Sequence, residues 1–175
     1  ASLQWLSPDE WLAVLPQGDA FRVETALRSA LGDASVAFSD VSAGQMVIEL
    51  TGDDQAMREL LMKSVVYDVH PRHFAVGKGV TTVLAKTSVI LRRPDERRWE
   101  LVVRRSFADY VYRWLLDAGE EFAIGVRPYR TFVGAATGTP PPAGSRLERA
   151  VIVVIAGAAI AAILVLLGAP RTIVA

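Results

Sequence analysis

The stretch from Ala150 to Ala169 constrains this chain more than any other: twenty residues without one charged or strongly polar side chain. An α-helix of roughly 20 apolar residues spans the hydrocarbon core of a bilayer. The run therefore predicts one transmembrane helix over 150–169, with a short tail over 170–175. Two competing readings are a buried packing helix, since Ala156 to Ala162 is rich in alanine and glycine, and an anomaly of the sequence itself. Ahead of the run lies Thr137-Gly-Thr-Pro-Pro-Pro-Ala-Gly-Ser145, whose three consecutive prolines favour extended polyproline structure. Residues 136–149 are expected as a linker and 1–135 as the globular domain. Arg146 and Arg149 precede the apolar run and only Arg171 follows it, so the positive-inside rule puts the domain in the cytoplasm, anchored to the inner membrane.

Within 1–135 the patterning alternates between strand and helix. Ser7-Pro8-Asp9 is turn chemistry between two short strands over 2–15, and the second strand, with Trp11, Leu12, Ala13, Val14 and Leu15 in succession, reads as buried on both faces. Asp19 is a candidate N-cap for a helix carrying Val23, Ala26, Leu27, Ala30 and Leu31, which Gly32 ends. Ala34–Val41, a turn at Ser42-Ala43-Gly44 and the apolar face Met46, Ile48, Leu50 predict a hairpin. Asp53 and Asp54 open a second helix with the stripe Met57, Leu60, Leu61, Val65. A loop at Asp68–Arg72 leads to one long strand over Val80–Leu91, a charged tip at Arg92–Arg98 and a returning strand with Trp99, Leu101 and Val103. Ser106 and Asp109 form a capping-box-like pair at the head of a helix whose apolar face runs from Phe107 and Tyr110 to Trp114 and Phe122. Strand, helix, strand, strand, helix, strand from Glu10 to Leu91 is the split βαβ order of ferredoxin-like domains. The expected fold is thus α+β, with one apolar C-terminal helix added.

Composition narrows the chemistry. The absence of cysteine excludes disulfides, thiolate metal sites and a cysteine nucleophile, and fits a reducing compartment. The only histidines are His70 and His73; Pro71 between them breaks helical ligand spacing, so no metal site is expected. Lysine plus arginine and aspartate plus glutamate both total 19, and the basic residues lack interleaved aromatics, which argues against nucleic acid. Gly77-Lys78-Gly79 lacks phosphate-loop spacing and precedes a strand, and no nucleophile elbow surrounds Ser106. The arginines at 92, 93, 97 and 98 read as a solvated hairpin tip, whereas Arg104 and Arg105, before a helix start, suit carboxylates of a partner.

Five blocks carry a family resemblance. Leu6-Ser-Pro-Asp-Glu-Trp-Leu12, Asp40-Val-Ser42 with Ile48-Glu-Leu-Thr-Gly52, Asp68-Val-His-Pro-Arg-His-Phe74, Thr82-Val-Leu-Ala-Lys86 and Val103-Arg-Arg-Ser-Phe-Ala-Asp-Tyr110 occur in order over roughly 3–125. Together they resemble the gamma subunits of heterotetrameric sarcosine oxidase-type flavoenzymes. The resemblance implies a fold like the N-terminal part of folate-dependent aminomethyltransferases and a non-catalytic assembly role in an oxidase or dehydrogenase of sarcosine or a related N-methyl amino acid. It implies large alpha and beta subunits holding FAD, FMN, NAD and tetrahydrofolate, and a small delta subunit carrying zinc, with no cofactor and no catalytic residue in this chain. On that reading His70, Arg72, Arg104, Arg105 and Asp109 are the candidate subunit-interface residues. The alternatives are a folate-binding aminomethyltransferase-like enzyme and a tail-anchored membrane protein of unrelated function.

Overall fold

The computed structural model describes residues 2–16, 19–122 and 124–125 in full, and 148–155 as backbone. Among these the order is β1 (Ser2–Ser7), β2 (Glu10–Pro16), α1 (Ala20–Leu31), β3 (Val36–Asp40), β4 (Gln45–Thr51), α2 (Asp54–Ser64), β5 (Gly79–Leu84), β6 (Thr87–Asp95), β7 (Arg98–Arg104), α3 (Ala108–Ala118) and β8 (Glu148–Ile155). The class is α+β, as expected. The strands form two four-stranded sheets, β1-β2-β8-β3 and β4-β7-β6-β5, antiparallel at every pairing.

Strand alternation explains how the layers stack. Successive residues of a strand point to opposite faces. In β2, Trp11, Ala13 and Leu15 meet Val23, Leu27 and Leu31 of α1, while Leu12 and Val14 meet Val102 of β7, flanked by Val47 and Ile90. The other face of the second sheet, with Leu91, Trp99, Leu101 and Val103, packs on Leu60 and Leu61 of α2 and Val111 and Leu115 of α3. The order is therefore α1, first sheet, second sheet, then α2 with α3. The middle strands β2 and β7 are each buried over five consecutive residues, as the unbroken apolar run of β2 predicts.

The interface between the sheets is apolar at one end and charged at the other. Arg92 and Glu100, directly opposite across β6 and β7, pair at 2.8 Å with both side chains almost wholly buried. Arg92 also donates to the Ser2 hydroxyl of β1 at 2.8 Å, and Arg98 lies 3.0 Å from Asp95 and 3.6 Å from Glu100. The predicted solvated tip is wrong for Arg92 and Arg93, which are 3% and 8% exposed. The strand continues past Leu91 through them, so these arginines lie inside the sheet rather than in its turn.

The structure corrects four other expectations. The first concerns the apolar run. Its opening residues form β8, which pairs with β2 on one side and β3 on the other. β2 and β3 are parallel, joined by α1, and leave room for one antiparallel strand between them. The β-branched run Val151–Ile155 suits a pleated strand better than a helix. No helix among the described residues is long and apolar enough to cross a membrane. The rest of the predicted helix, 156–169, lies outside the described residues, as do 126–147, which hold the end of the predicted domain and most of the linker.

Secondly, β3 and β4 are not a hairpin. The turn forms, with the Ser42 amide donating to Asp40 at 2.9 Å, but the strands after it enter different sheets. The split βαβ arrangement is realised by β2, α1 and β3 around β8, not by one sheet from Glu10 to Leu91. Thirdly, Val80–Leu91 is broken into β5 and β6 by a tight turn in which Ala85 takes φ 49°, a conformation costly for a residue with a Cβ. Lastly, Ser106 does not cap α3. It sits in a 3-10 turn over Arg105–Phe107, and Phe107 precedes the helix with no side-chain cap. Phe107 and Tyr110 stay 43% and 36% exposed, so the buried face of α3 runs instead through Ala108, Val111 and Leu115.

Candidate subunit interface

The Asp68–Phe74 loop leaves α2 and returns to the second sheet at β5. Val69 and Phe74 are fully buried, while His70, Pro71, Arg72 and His73 between them are exposed. Phe74 packs against Trp99, with ring centroids 4.9 Å apart, and meets Tyr67 edge-on at 5.7 Å. Its amide and that of His73 both donate to the His70 carbonyl at 2.9 Å. Asp68 accepts from the His70 amide at 2.9 Å, and His70 Nδ1 accepts from the Arg72 amide at 3.2 Å. The His73 imidazole stands 3.6 Å from the Asp68 carboxylate.

A buried charged clamp holds this loop from beneath. Asp54, in the first turn of α2, pairs with Arg58 at 2.8 Å and with Arg93 of β6 at 2.9 Å, and accepts from the Trp99 indole at 3.4 Å. Arg58 donates to the carbonyls of Val69 and Phe74, and Arg93 reaches the Phe74 carbonyl at 3.4 Å. Both guanidinium groups lie over the Trp99 ring, at 5.1 and 5.2 Å from its centroid. A buried guanidinium is stable only when carboxylates and carbonyls replace its hydration, and here they come from α2 and from the loop's own backbone.

Arg104, Arg105 and Asp109 lie at a second place, the corner between β7 and α3. The Arg105 amide donates to the Gly44 carbonyl at 2.9 Å, tying the corner to the turn before β4. Both guanidinium groups are exposed, with no hydrogen bond or ion pair among the described residues. Asp109 is committed within the helix, pairing with Arg113 at 2.9 Å. The five residues thus divide: His70 and Arg72 share the loop tip, and the other three share the corner.

An open groove of about 1130 Å³ lies at the head of α2, lined by Asp53, Asp54, Arg93, Asp95, Arg97 and Arg98 among others. Most of its charges are already matched, Asp53 by the Ala56 amide at 3.1 Å, Asp54 by two arginines and Asp95 by Arg98. No group of three or more His, Asp or Glu residues that could hold a metal occurs among the described residues.

Sequence reasoning missed the clamp of Asp54, Arg58 and Arg93. Part of a signal for the buried ion pairs was present: opposite charges facing each other across strands mark a paired site, but a turn at Asp95–Arg98 alone would set Arg93 opposite Glu100, and a register shift between Arg92 and Asp95 brings Arg92 there instead.

The chain is 42% identical over 119 residues to the sarcosine oxidase subunit gamma of Corynebacterium sp. (strain P-1), and 40% identical over 119 residues to that of an Arthrobacter species. Each match covers 68% of this chain and 57% of the relative, so the chain spans somewhat over half the length of these relatives. Its structure is similar to a chain of the heterotetrameric sarcosine oxidase from Corynebacterium sp. U-96 in complex with pyrrole 2-carboxylate, with a TM-score of 0.61 and 36% identity, covering 72% of this chain and 63% of that one. The model of the sarcosine oxidase, gamma subunit family matches residues 1–121, and the chain belongs to that family.

Proposed function

We propose that this protein is a non-catalytic assembly subunit of a multi-subunit flavin-dependent oxidase or dehydrogenase acting on sarcosine or a related N-methyl amino acid. The observation that carries the reading is the family match over residues 1–121, joined to the likeness to a chain of a heterotetrameric sarcosine oxidase. The arrangement of charge supports it. The buried ion pairs brace the two sheets and one loop, and the exposed, unmatched arginines stand at two surface corners suited to partner carboxylates.

On this reading the partners are large alpha and beta subunits that hold FAD, FMN, NAD and tetrahydrofolate, and a small delta subunit that carries zinc. The complex works in the cytoplasm, in keeping with a chain free of cysteine. The fold serves as a rigid bracket with the topology of an aminomethyltransferase N-terminal region. Membrane attachment is no part of the reading, because the start of the apolar run is a strand.

Purification of the full chain from its own cells, followed by an absorption spectrum of the eluate, tests the proposal. Larger subunits with flavin bands are expected. A colourless protein that elutes alone would sink it, and tetrahydrofolate bound by the isolated chain would turn the reading toward an aminomethyltransferase-like enzyme.

A further inference from the structure

We propose that the Asp68–Phe74 loop is a preformed docking knob that carries Arg72 into a carboxylate-lined recess on another subunit of the complex. The proposal rests on the subunit reading and adds to it the position and chemistry of one contact.

The loop is built from the inside. An ordinary surface loop needs no buried anchors, since water satisfies its backbone. Here the two residues that bracket the tip, Val69 and Phe74, are fully buried, and their carbonyls accept from Arg58 and Arg93, themselves 6% and 8% exposed. Placing two guanidinium groups in the interior is costly unless every donor is used. Part of their donor capacity goes to fixing this one loop.

The tip is fixed as well. Backbone bonds from His73 and Phe74 to the His70 carbonyl close the turn, and Asp68 holds the His70 amide. His70 Nδ1 accepts from the Arg72 amide, so the proton of the neutral ring lies on Nε2, where it is free to donate outward. A segment already in its bound shape loses little conformational entropy on association.

Charge names the partner. Arg22, Arg28, Arg58, Arg93 and Arg113 each pair with a carboxylate of this chain. Arg72 is exposed and makes no ion pair among the described residues, and the nearby carboxylate of Asp68 is engaged by the His70 amide and faces His73. An unmatched guanidinium on a rigid support fits a carboxylate in two-point geometry, which a lysine cannot reproduce.

The test uses the full chain co-expressed with the large subunits of its own complex. Arg72→Glu should weaken association at least tenfold by sedimentation, and Arg72→Lys should weaken it less. Arg22→Glu, the same charge change on α1, should leave it unchanged, and all three variants should melt with the wild type. The amides of His70, Arg72, His73 and Phe74 should gain protection from hydrogen exchange in the wild-type complex. Arg72→Glu assembling with wild-type affinity, or no added protection at 70–74, overturns the knob and leaves the subunit reading standing. A wild-type chain that does not associate with the large subunits overturns both.

Discussion

The two halves of the molecule are held together in different ways. The second sheet draws all its strands from Gln45–Arg104, and its helices α2 and α3 fall within Asp54–Ala118. It is pinned from within by Asp54, Arg58, Arg93 and Trp99. Among its described side chains the first sheet has no such clamp. Its split β2-α1-β3 unit is completed by β8, which arrives from far along the chain, and α1 is braced across elements mainly by apolar contact and by Arg28 over the Phe38 ring at 4.7 Å. One half is thus self-contained and pinned by charge, and the other is held by apolar contact among its described side chains and completed from a distance. Long-range pairing of this kind is slow to form and is lost first when its remote part is removed.

Deleting residues 148–175 would break the first half and spare the second. β2 and β3 would lose the ladder bonds that flank β8, each worth roughly 0.5–1.5 kcal/mol. Hydrogen exchange should then show the amides of 36–40, and those within 10–15 that face β8, nearly unprotected while those of β6 and β7 keep their protection. Equal loss in both sheets would mean that the halves fold as one cooperative unit.

Asp54→Ala attacks the other half. It strands Arg58 and Arg93 in the interior, at a cost of about 2–4 kcal/mol once the partial exposure of Asp54 is allowed for. Denaturant unfolding should register that loss, with protection reduced at 69–74 and unchanged in β2. A loss below about 1 kcal/mol would show that the carbonyls of Val69, Phe74 and Glu96 satisfy the two guanidinium groups without Asp54.

The smallest change is Ala85→Gly. Relief of the left-handed strain is worth about 1 kcal/mol and is offset in part by the greater freedom of glycine in the unfolded chain. The melting temperature should stay level or rise by a few degrees. A fall of more than a few degrees would mean that the packing of the Ala85 methyl against the second core outweighs its strain.

Part of this was legible in the sequence. Unbroken apolar residues in β2 announced a strand covered on both sides, and the stripes at Val23, Leu27, Leu31 and at Leu60, Leu61 announced α1 and α2, because one element's period determines which of its faces is apolar. The interface candidates were legible only as exposed charges near motifs. The β5–β6 turn was not, since Leu84-Ala85-Lys86-Thr87 contains no glycine, asparagine or proline. The capping pair at Ser106 failed because the chain tightens into a 3-10 turn before α3 begins.

By itself, then, the sequence determined the α+β class, the family and the faces of most elements, all of which depend on local spacing or on motifs read in order. Only the tertiary structure decided that Val151–Ile155 belongs to a strand between β2 and β3, that β3 and β4 part into separate sheets, and that Arg92 and Arg93 lie inside. An apolar run of β-branched residues fits a buried strand or a membrane helix equally well until a partner is present, and an arginine enters the interior only where distant carboxylates and carbonyls meet it.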